Sequence, residues 1–545
     1  MADDLQRFLD HRPLLSRRPN LSQRMAKAAR RHPRTLIVTM AITLFALIGV
    51  AAAALLLNRE RAVAQFERDE AFENLEIALE AVDEMYGNFS ESWITTDQAL
   101  SDTQMLFLNR SAGIYQSIAR RVAGRPEFQS TAARILQRSG AAHARLGNLR
   151  EAVAVTIQAI DEMPASSDDA VSPDMIAAYE QLGEIYATMG RLSEAREAFA
   201  KAQEHLGNLP QVERREFDVA LTELRLSYKQ ADLCCQEYDD RTVAALGNEL
   251  IERLTARIRE DRDSFELHQL AIRTRTLLAC SLRRSGSPDS AREVMRLALR
   301  KSLHALNDAT DRVDVVKAMV QANQEYAMAL HELGVDDEAE KLLRASMQLL
   351  RSSFIFDGTP KEFSFKALAA KAPHYQMQPT LFCEYARTQM VLSRVMRSTA
   401  RMQEGAEQAE EAVRTCATLT RLFPSEVSYA IAAIEAATEW LLYPLPAEPK
   451  DAQLRIQWVS TLMSEIGSTQ SDASSSIPFR TMLAEVNAAF ASRKLEQGEH
   501  ELAVVAGQAA VALQRSVLAD VAESDVLRKR LAAYEQALAA MTANP

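Results

Sequence analysis

Apolar side chains recur along this chain at steps of three and four, the spacing that places them on one face of a helix. Phe72, Leu75, Leu79, Val82 and Tyr86 form one such stripe. Residues 133–164 and 176–207 form two longer copies, each a pair of amphipathic stretches around a central glycine. Gly140 aligns with Gly183, Gly147 with Gly190, Ala152 with Ala195 and Ala159 with Ala202. Small residues at those places let two helices approach closely, and Gly147 and Gly190 permit the reversal between them. Tyr179, Leu182, Tyr186 and Phe199 fill the remaining volume. Glycine and proline number 17 each in 545 residues, about half their usual share, which leaves little material for strand turns. The pattern predicts an all-α chain of helical hairpins.

These copies resemble the tetratricopeptide repeat (TPR). The first keeps the usual terminal proline as Pro164, and the second has Gly207 instead. Gly140 and Gly183 lie 43 residues apart against about 34 in a regular array, the excess falling in "ASSDDAVSP" (165–173). Fainter copies keep Gly286, Ala291 and Ala298; Tyr326, Gly334 and Ala339; and Phe490, Gly498, Ala503 and Ala510. Breaks rich in Pro or Ser fall at 356–379, 443–451 and 467–478. The expected order is helical extension and first hairpins at 58–130, two TPR motifs at 131–210, degenerate repeats at 211–355, an irregular linker at 356–379, and further repeats at 380–545.

One segment breaks the amphipathic rule. Thr35 to Leu57 is 23 residues without a charge, enough at 1.5 Å per residue to cross about 30 Å of hydrocarbon. A cleaved signal peptide is the competing reading, with Ala51 to Ala54 as small residues for a peptidase. The run outlasts the usual signal core and follows a 34-residue leader, which favours an uncleaved single N-terminal transmembrane helix ahead of a TPR-like α-solenoid. Arg17, Arg18, Arg24, Lys27, Arg30, Arg31 and Arg34 precede it, so basic residues place the N-terminus in the cytoplasm and the C-terminal domain in the periplasm. The leader carries net +6, and a total of −11 leaves −17 for the rest. An acidic outer domain argues against nucleic acid as a partner.

Candidate chemistry is sparse. No Gly-rich phosphate loop, HExxH, CxxC or GxSxG occurs, and no two histidines fall within one helical turn of each other. No catalytic residue, cofactor site or metal site is expected. The abundant carboxylates read as solvated helix faces, and Asn20 and Asn88 sit in Asn-x-Ser triplets of the kind chance supplies. The cysteines, Cys234, Cys235, Cys280, Cys383 and Cys416, are odd in number and lie on predicted helices. They read as small buried residues rather than a disulfide framework, although Cys234 and Cys235 leave a bridge to another helix open.

A hairpin solenoid offers a concave face lined by the first helix of each hairpin, and in TPR proteins that groove commonly accepts peptides. Carrying the groove positions over gives Arg134, Gln137 and Arg145, then Glu180 and Glu184, then Arg273, Arg283 and Arg284. Their alternating charge suits an extended peptide or protein ligand, with Arg134 and Arg145 meeting an acidic group.

"ADDLQRFLDHRP" at 2–13, the basic stretch "RRPNLSQRMAKAARRHPRT", the apolar span and "ALEAVDEMYGNFSES" together resemble a segment of the membrane-anchored serine/threonine protein kinases of Planctomycetes. There it joins the end of the catalytic domain to an outer helical-repeat region. The chain has no Gly-rich loop, Val-Ala-x-Lys strand, His-Arg-Asp loop or Asp-Phe-Gly, so nothing in it would position ATP and magnesium. The resemblance implies either a lost catalytic half or a true start upstream of Met1. The expected function is a non-catalytic, membrane-anchored binding or scaffold module. The alternative is the sensor half of a receptor kinase, with a kinase partner or a homodimer.

Overall fold

The structure, a computed structural model, describes residues 102–543 apart from 123–128, 164–172, 210–216, 263, 308–312, 354–378, 425, 447, 470–475 and 522–523, together with the isolated positions 46 and 59. The chain divides into two compact units, Met1–Phe89 and Ser90–Pro545. The expected transmembrane run at 35–57 apart from position 46, the stripe at 72–86 and nearly all of the linker at 356–379 lie outside the described residues.

Eighteen helices and no strand occur among the described residues of the second unit. In chain order they are α1 (Asp102–Val122), α2 (Gln129–Arg145), α3 (Leu149–Glu162), α4 (Pro173–Thr188), α5 (Leu192–Gly207), α6 (Phe217–Gln236), α7 (Asp240–Glu260), α8 (Phe265–Arg284) and α9 (Pro288–Asn307). They continue with α10 (Val313–Glu332), α11 (Asp336–Ser353), α12 (Pro379–Ser398), α13 (Met402–Leu422), α14 (Val427–Leu441), α15 (Pro449–Thr469), α16 (Ile477–Glu496), α17 (His500–Asp520) and α18 (Asp525–Ala543). From α2 to α17 they pair as consecutive hairpins, and first helices of neighbouring hairpins also pack on one another. This is the α-solenoid expected from the sequence.

Seven of the eight hairpins share one turn. A residue in the left-handed region stands at its centre: Gly147, Gly190, Tyr238, Gly286, Gly334, Ala400 and Gly498, with φ from 60° to 80°. The next residue donates its N–H to the carbonyl five positions back, as Asn148 does to His143 and Asp239 to Cys234, at 2.9–3.0 Å in every case. This ring satisfies carbonyls that the end of the first helix would leave unpaired. Five of the seven residues are glycine because a Cβ is disfavoured there.

The turn fixes a packing register. Seven residues before it stand Gly140, Gly183, Ala231, Ala279, Ala327, Ser393 and Ala491, all buried. Five after it stand Ala152, Ala195, Val243, Ala291, Ala339, Gly405 and Ala503, again all buried. A Cβ on Gly183 would lie 2.4 Å from the Phe199 ring, and one on Gly405 would lie 2.2 Å from the Tyr443 hydroxyl oxygen. The small residues are therefore where large ones from a neighbouring segment need room.

The turns at Gly190, Tyr238, Gly286 and Gly334 are evenly spaced, and their interval is stretched because α6 to α10 run to 20 or 21 residues each. The array is TPR-like in its contacts and longer than a TPR in its period. Caps define some starts: the Asp239 carboxylate accepts from the Thr242 N–H at 3.1 Å and the Ser264 hydroxyl from the Leu267 N–H at 3.4 Å.

The solenoid also touches itself. Ile477, Val517 and Leu527 from the last hairpin and terminal helix share one core with Ile176, Leu192, Phe199, Leu226 and Leu233. A Cβ on Gly190 would lie 2.5 Å from Ser476 Cβ, and Arg530 stacks over the Tyr238 ring at 6.0 Å. The second and third hairpins thus meet the eighth. Among the described residues α17 is the one helix long and apolar enough to cross a membrane. Its Ala503, Ala506 and Ala510 are buried in the hairpin with α16.

Candidate functional site: the concave face

Because successive first helices lie side by side, long polar side chains projecting between them meet across about one repeat of sequence. They form a ladder across the first helices, the side that a solenoid of helical hairpins turns inward as its concave face. Lys229 on α6 pairs with Glu180, at 3.1 Å, and with Glu184 on α4, and Arg225 lies 3.8 Å from Glu180. From α8, Arg283 reaches Glu325 at 3.2 Å and Glu332 at 2.9 Å, while Gln269 reaches Asp314 at 3.0 Å. Gln321 on α10 donates to buried Glu384 on α12 at 2.7 Å, and Gln324 bonds Thr388 at 3.0 Å. Arg394 and Arg397 on α12 hold buried Glu439 on α14 at 3.0 and 3.1 Å. Arg530 on α18 closes the series on Glu485 of α16.

Burial sets the electrostatics of this face. It holds the Asp232 carboxyl above its ordinary range, against Gln236, Arg273 and Lys229. It draws the Lys229 ammonium below its ordinary range, against the pull of Glu180. Burial likewise raises Glu485 against Arg530. Charges here are poorly hydrated and depend on one another, so a pair broken on this face costs more than one on an outer helix.

The sequence-predicted groove residues fall into three groups. Glu180, Glu184, Arg283 and Arg284 are committed to ion pairs with neighbouring hairpins, Arg284 to Asp240 at 2.5 Å. Charged they are, but their charge is already matched within the chain. Arg273 stands on α8 beside Asp232, which its charge helps to hold ionised. In the first hairpin, Arg134 is exposed, Gln137 is half-buried with its carbonyl accepting from Gln181 at 3.0 Å, and Arg145 is half-buried and engaged with a neighbour. The structure does not gather Arg134 and Arg145 with the third and fourth hairpins into one charged patch.

Lys229, Asp232, Glu384, Arg387, Arg394, Glu435, Glu439 and Glu485 are concave-face residues that the sequence reading missed. Glu435 and Glu439 carried a usable signal: two acids one helical turn apart inside the otherwise apolar "AIAAIEAATEWLL". The five cysteines are thiols, four of them buried and Cys280 half-buried, as the small-residue reading expects. No group of three or more metal-ligating side chains occurs among the described residues. A cleft of about 340 Å³ lies between α5, α6 and α7, but Gln230–Gln203 and Arg253–Glu223 bonds cross it at 2.8 and 2.5 Å.

One outer rung yields a pH prediction. Glu340 on α11 accepts from Arg401 at the α12–α13 turn and from Arg344 at 2.8 Å, and the Arg401 bond holds its carboxyl below the ordinary range. A lowered folded pKa stabilises above the unfolded value and loses that contribution as pH falls. Glu340→Gln is expected to cost about 1 kcal/mol at neutral pH. In urea titrations the gap from wild type should shrink below about pH 4.3.

No protein-family model and no curated protein sequence matches the chain. Among solved structures, it is similar to a Rap protein complexed with competence and sporulation factor: 10% identity, TM-score 0.44, covering 82% of this chain and 99% of that one. The Rap conjugation gene regulator of plasmid pLS20 in complex with the Phr* peptide matches at 12% identity and TM-score 0.40, covering 75% and 96%. Yeast Tom70 matches at 11% identity and TM-score 0.18, covering 82% and 100%.

Proposed function

We propose that the chain is a non-catalytic, membrane-anchored solenoid that binds an extended peptide or protein segment along its concave face. The observation that carries this reading is the ladder. From α4 to α16 the first helices lie in series, and most of the charged side chains between them are held by ion pairs or hydrogen bonds, while Arg387, Arg394, Glu435 and Glu485 keep 23–28% of their side-chain surface accessible. A surface held in place before binding loses little conformational freedom when a ligand arrives. Thr35 to Leu57 is the anchor in this reading, with the repeats in the periplasm.

Panning random peptides of about a dozen residues on the immobilised full-length chain tests it, a length that spans several repeats when extended. Arg225 and Arg273 stand on the concave face without a close ion pair, Arg225 being 3.8 Å from Glu180. Enriched peptides should bind Arg225→Ala/Arg273→Ala at least tenfold more weakly, about 1.4 kcal/mol. They should bind Arg296→Ala, an outer-face control on α9, as they bind wild type. Peptides sensitive only to the outer substitution would contradict the reading.

A second reading, favoured by "ADDLQRFLDHRP" before the span, makes this region the sensor of a receptor kinase. The mass of the native membrane protein, detected through its repeats, separates the two. A band heavier by about 30 kDa, one catalytic domain, supports the sensor.

A further inference from the structure

Cys235 closes α6, and Cys280 sits one turn from the end of α8, the next first helix. Arg284 and Ser281 hold those ends together, beside the Arg284–Asp240 ion pair. The Arg284 guanidinium donates to the Cys235 carbonyl at 3.0 Å and to its sulfur at 3.3 Å, and the Ser281 hydroxyl donates to the Asp240 carbonyl at 2.9 Å. The two thiols pack in one small cluster with Cys234, Val243 and Leu277, close enough for each to shift the titration of the other. Cys234, one residue earlier on α6, turns away toward Arg196 on α5. Cys280 is half-buried, on the same partly exposed face of α8 as Arg273, Thr276 and Leu277.

We propose that Cys235 and Cys280 are a reversible dithiol–disulfide pair that staples the third hairpin to the fourth when a disulfide-bearing oxidant enters the groove. Cys280 attacks as thiolate on one sulfur of that disulfide. The oxidant's S–S bond breaks, a mixed disulfide forms on Cys280, and one thiol leaves. Cys235 then gives its proton to solvent and attacks the Cys280 sulfur, expelling the second thiol. Two protein thiols are oxidised and one external disulfide is reduced to two thiols. The division of labour follows from the surroundings: Cys280 is the less buried of the two, and the Cys235 thiol beside it, with Arg284 and Arg283 nearby, draws Cys280 down, while Cys280 and burial hold Cys235 up. The product joins two adjacent first helices, fixing their crossing and the local curvature of the groove. Cys383 and Cys416, another neighbouring thiol pair, are 3% and 1% exposed in the main core and sealed from such an oxidant.

The test treats the full-length reduced chain with oxidised glutathione, alkylates it with N-ethylmaleimide under denaturing conditions, and maps the tryptic peptides by mass spectrometry. The expected result is a Cys235–Cys280 cross-link, reversed by dithiothreitol, with the other three of the five thiols alkylated. Cys280 recovered alkylated, or joined to Cys234, overturns the proposal. In Cys235→Ser the second step is blocked, so glutathione should remain on Cys280, and an unmodified Cys280 there also overturns it.

Discussion

Glu439→Ala is expected to destabilise the C-terminal half of the solenoid by about 3 kcal/mol, the lower end of what removing one partner from a buried ion pair costs. The carboxylate is 1% exposed and holds both Arg394 and Arg397 from the preceding first helix. Its removal strands two guanidinium groups. The estimate stays at the lower end because Arg394 and Arg397 keep 28% and 34% of their side-chain surface in contact with solvent. Glu435→Ala, one turn earlier on α14, is the control: Glu435 is 28% exposed and 3.7 Å from Arg394, so its loss should cost well under about 1 kcal/mol. Urea denaturation followed at Trp440 and Trp458, which meet edge to face in the same hairpin, reads both variants.

Gly190→Ala should free the end of the solenoid from its beginning. Two costs coincide at this residue. Its φ of 74° is disfavoured for any Cβ, by about 1–2 kcal/mol. The Cβ would also lie 2.5 Å from Ser476 Cβ and 3.3 Å from its Cα, and overpacking of this kind adds about 1–3 kcal/mol. Gly334→Ala isolates the first cost, since its φ is 75° and nothing lies within 4 Å of the added carbon. Hydrogen exchange should therefore quicken in α16 to α18 of Gly190→Ala, far from the substitution in sequence, and stay at the wild-type rate there in Gly334→Ala. Equal rates in the two variants would mean that the contact between second and eighth hairpins contributes nothing.

The hairpins were legible where glycine marks the turn. Gly147, Gly190, Gly286, Gly334 and Gly498 each announced a reversal, and the alanines behind them gave the register. Two turns stayed hidden because Tyr238 and Ala400 adopt the same left-handed backbone with a side chain attached. Tyr238 falls midway between Gly190 and Gly286, so the true period of this region could not be read from glycines alone. Tertiary contacts explain its tolerance: Arg284 and Arg530 lie over the Tyr238 ring at 4.7 and 6.0 Å, and burial pushes its hydroxyl up to about 12. Gly405 likewise stands where five of the other six turns are followed by alanine, for the sake of the Tyr443 hydroxyl that arrives from the end of α14.

The site was less legible than the fold. Helical periodicity identified which residues belong to first helices, so Glu180, Arg273 and Arg283 were found. It could not show that Lys229, Glu325 and Glu332 stand opposite them, because that depends on how neighbouring hairpins cross. Opposite charges that read as an open pattern for a ligand proved to be satisfied between repeats. Contact between the second and eighth hairpins had no local signal, since Ser476 and Gly190 meet only after six hairpins of accumulated twist.

Recognition of a peptide is proposed for the concave face. It is tested most directly by hydrogen–deuterium exchange on the full-length chain with and without a peptide selected by panning. Slower exchange is expected in first helices α6, α8, α10 and α12, with second helices α7, α9, α11 and α13 unchanged. Protection confined to the second helices would contradict it.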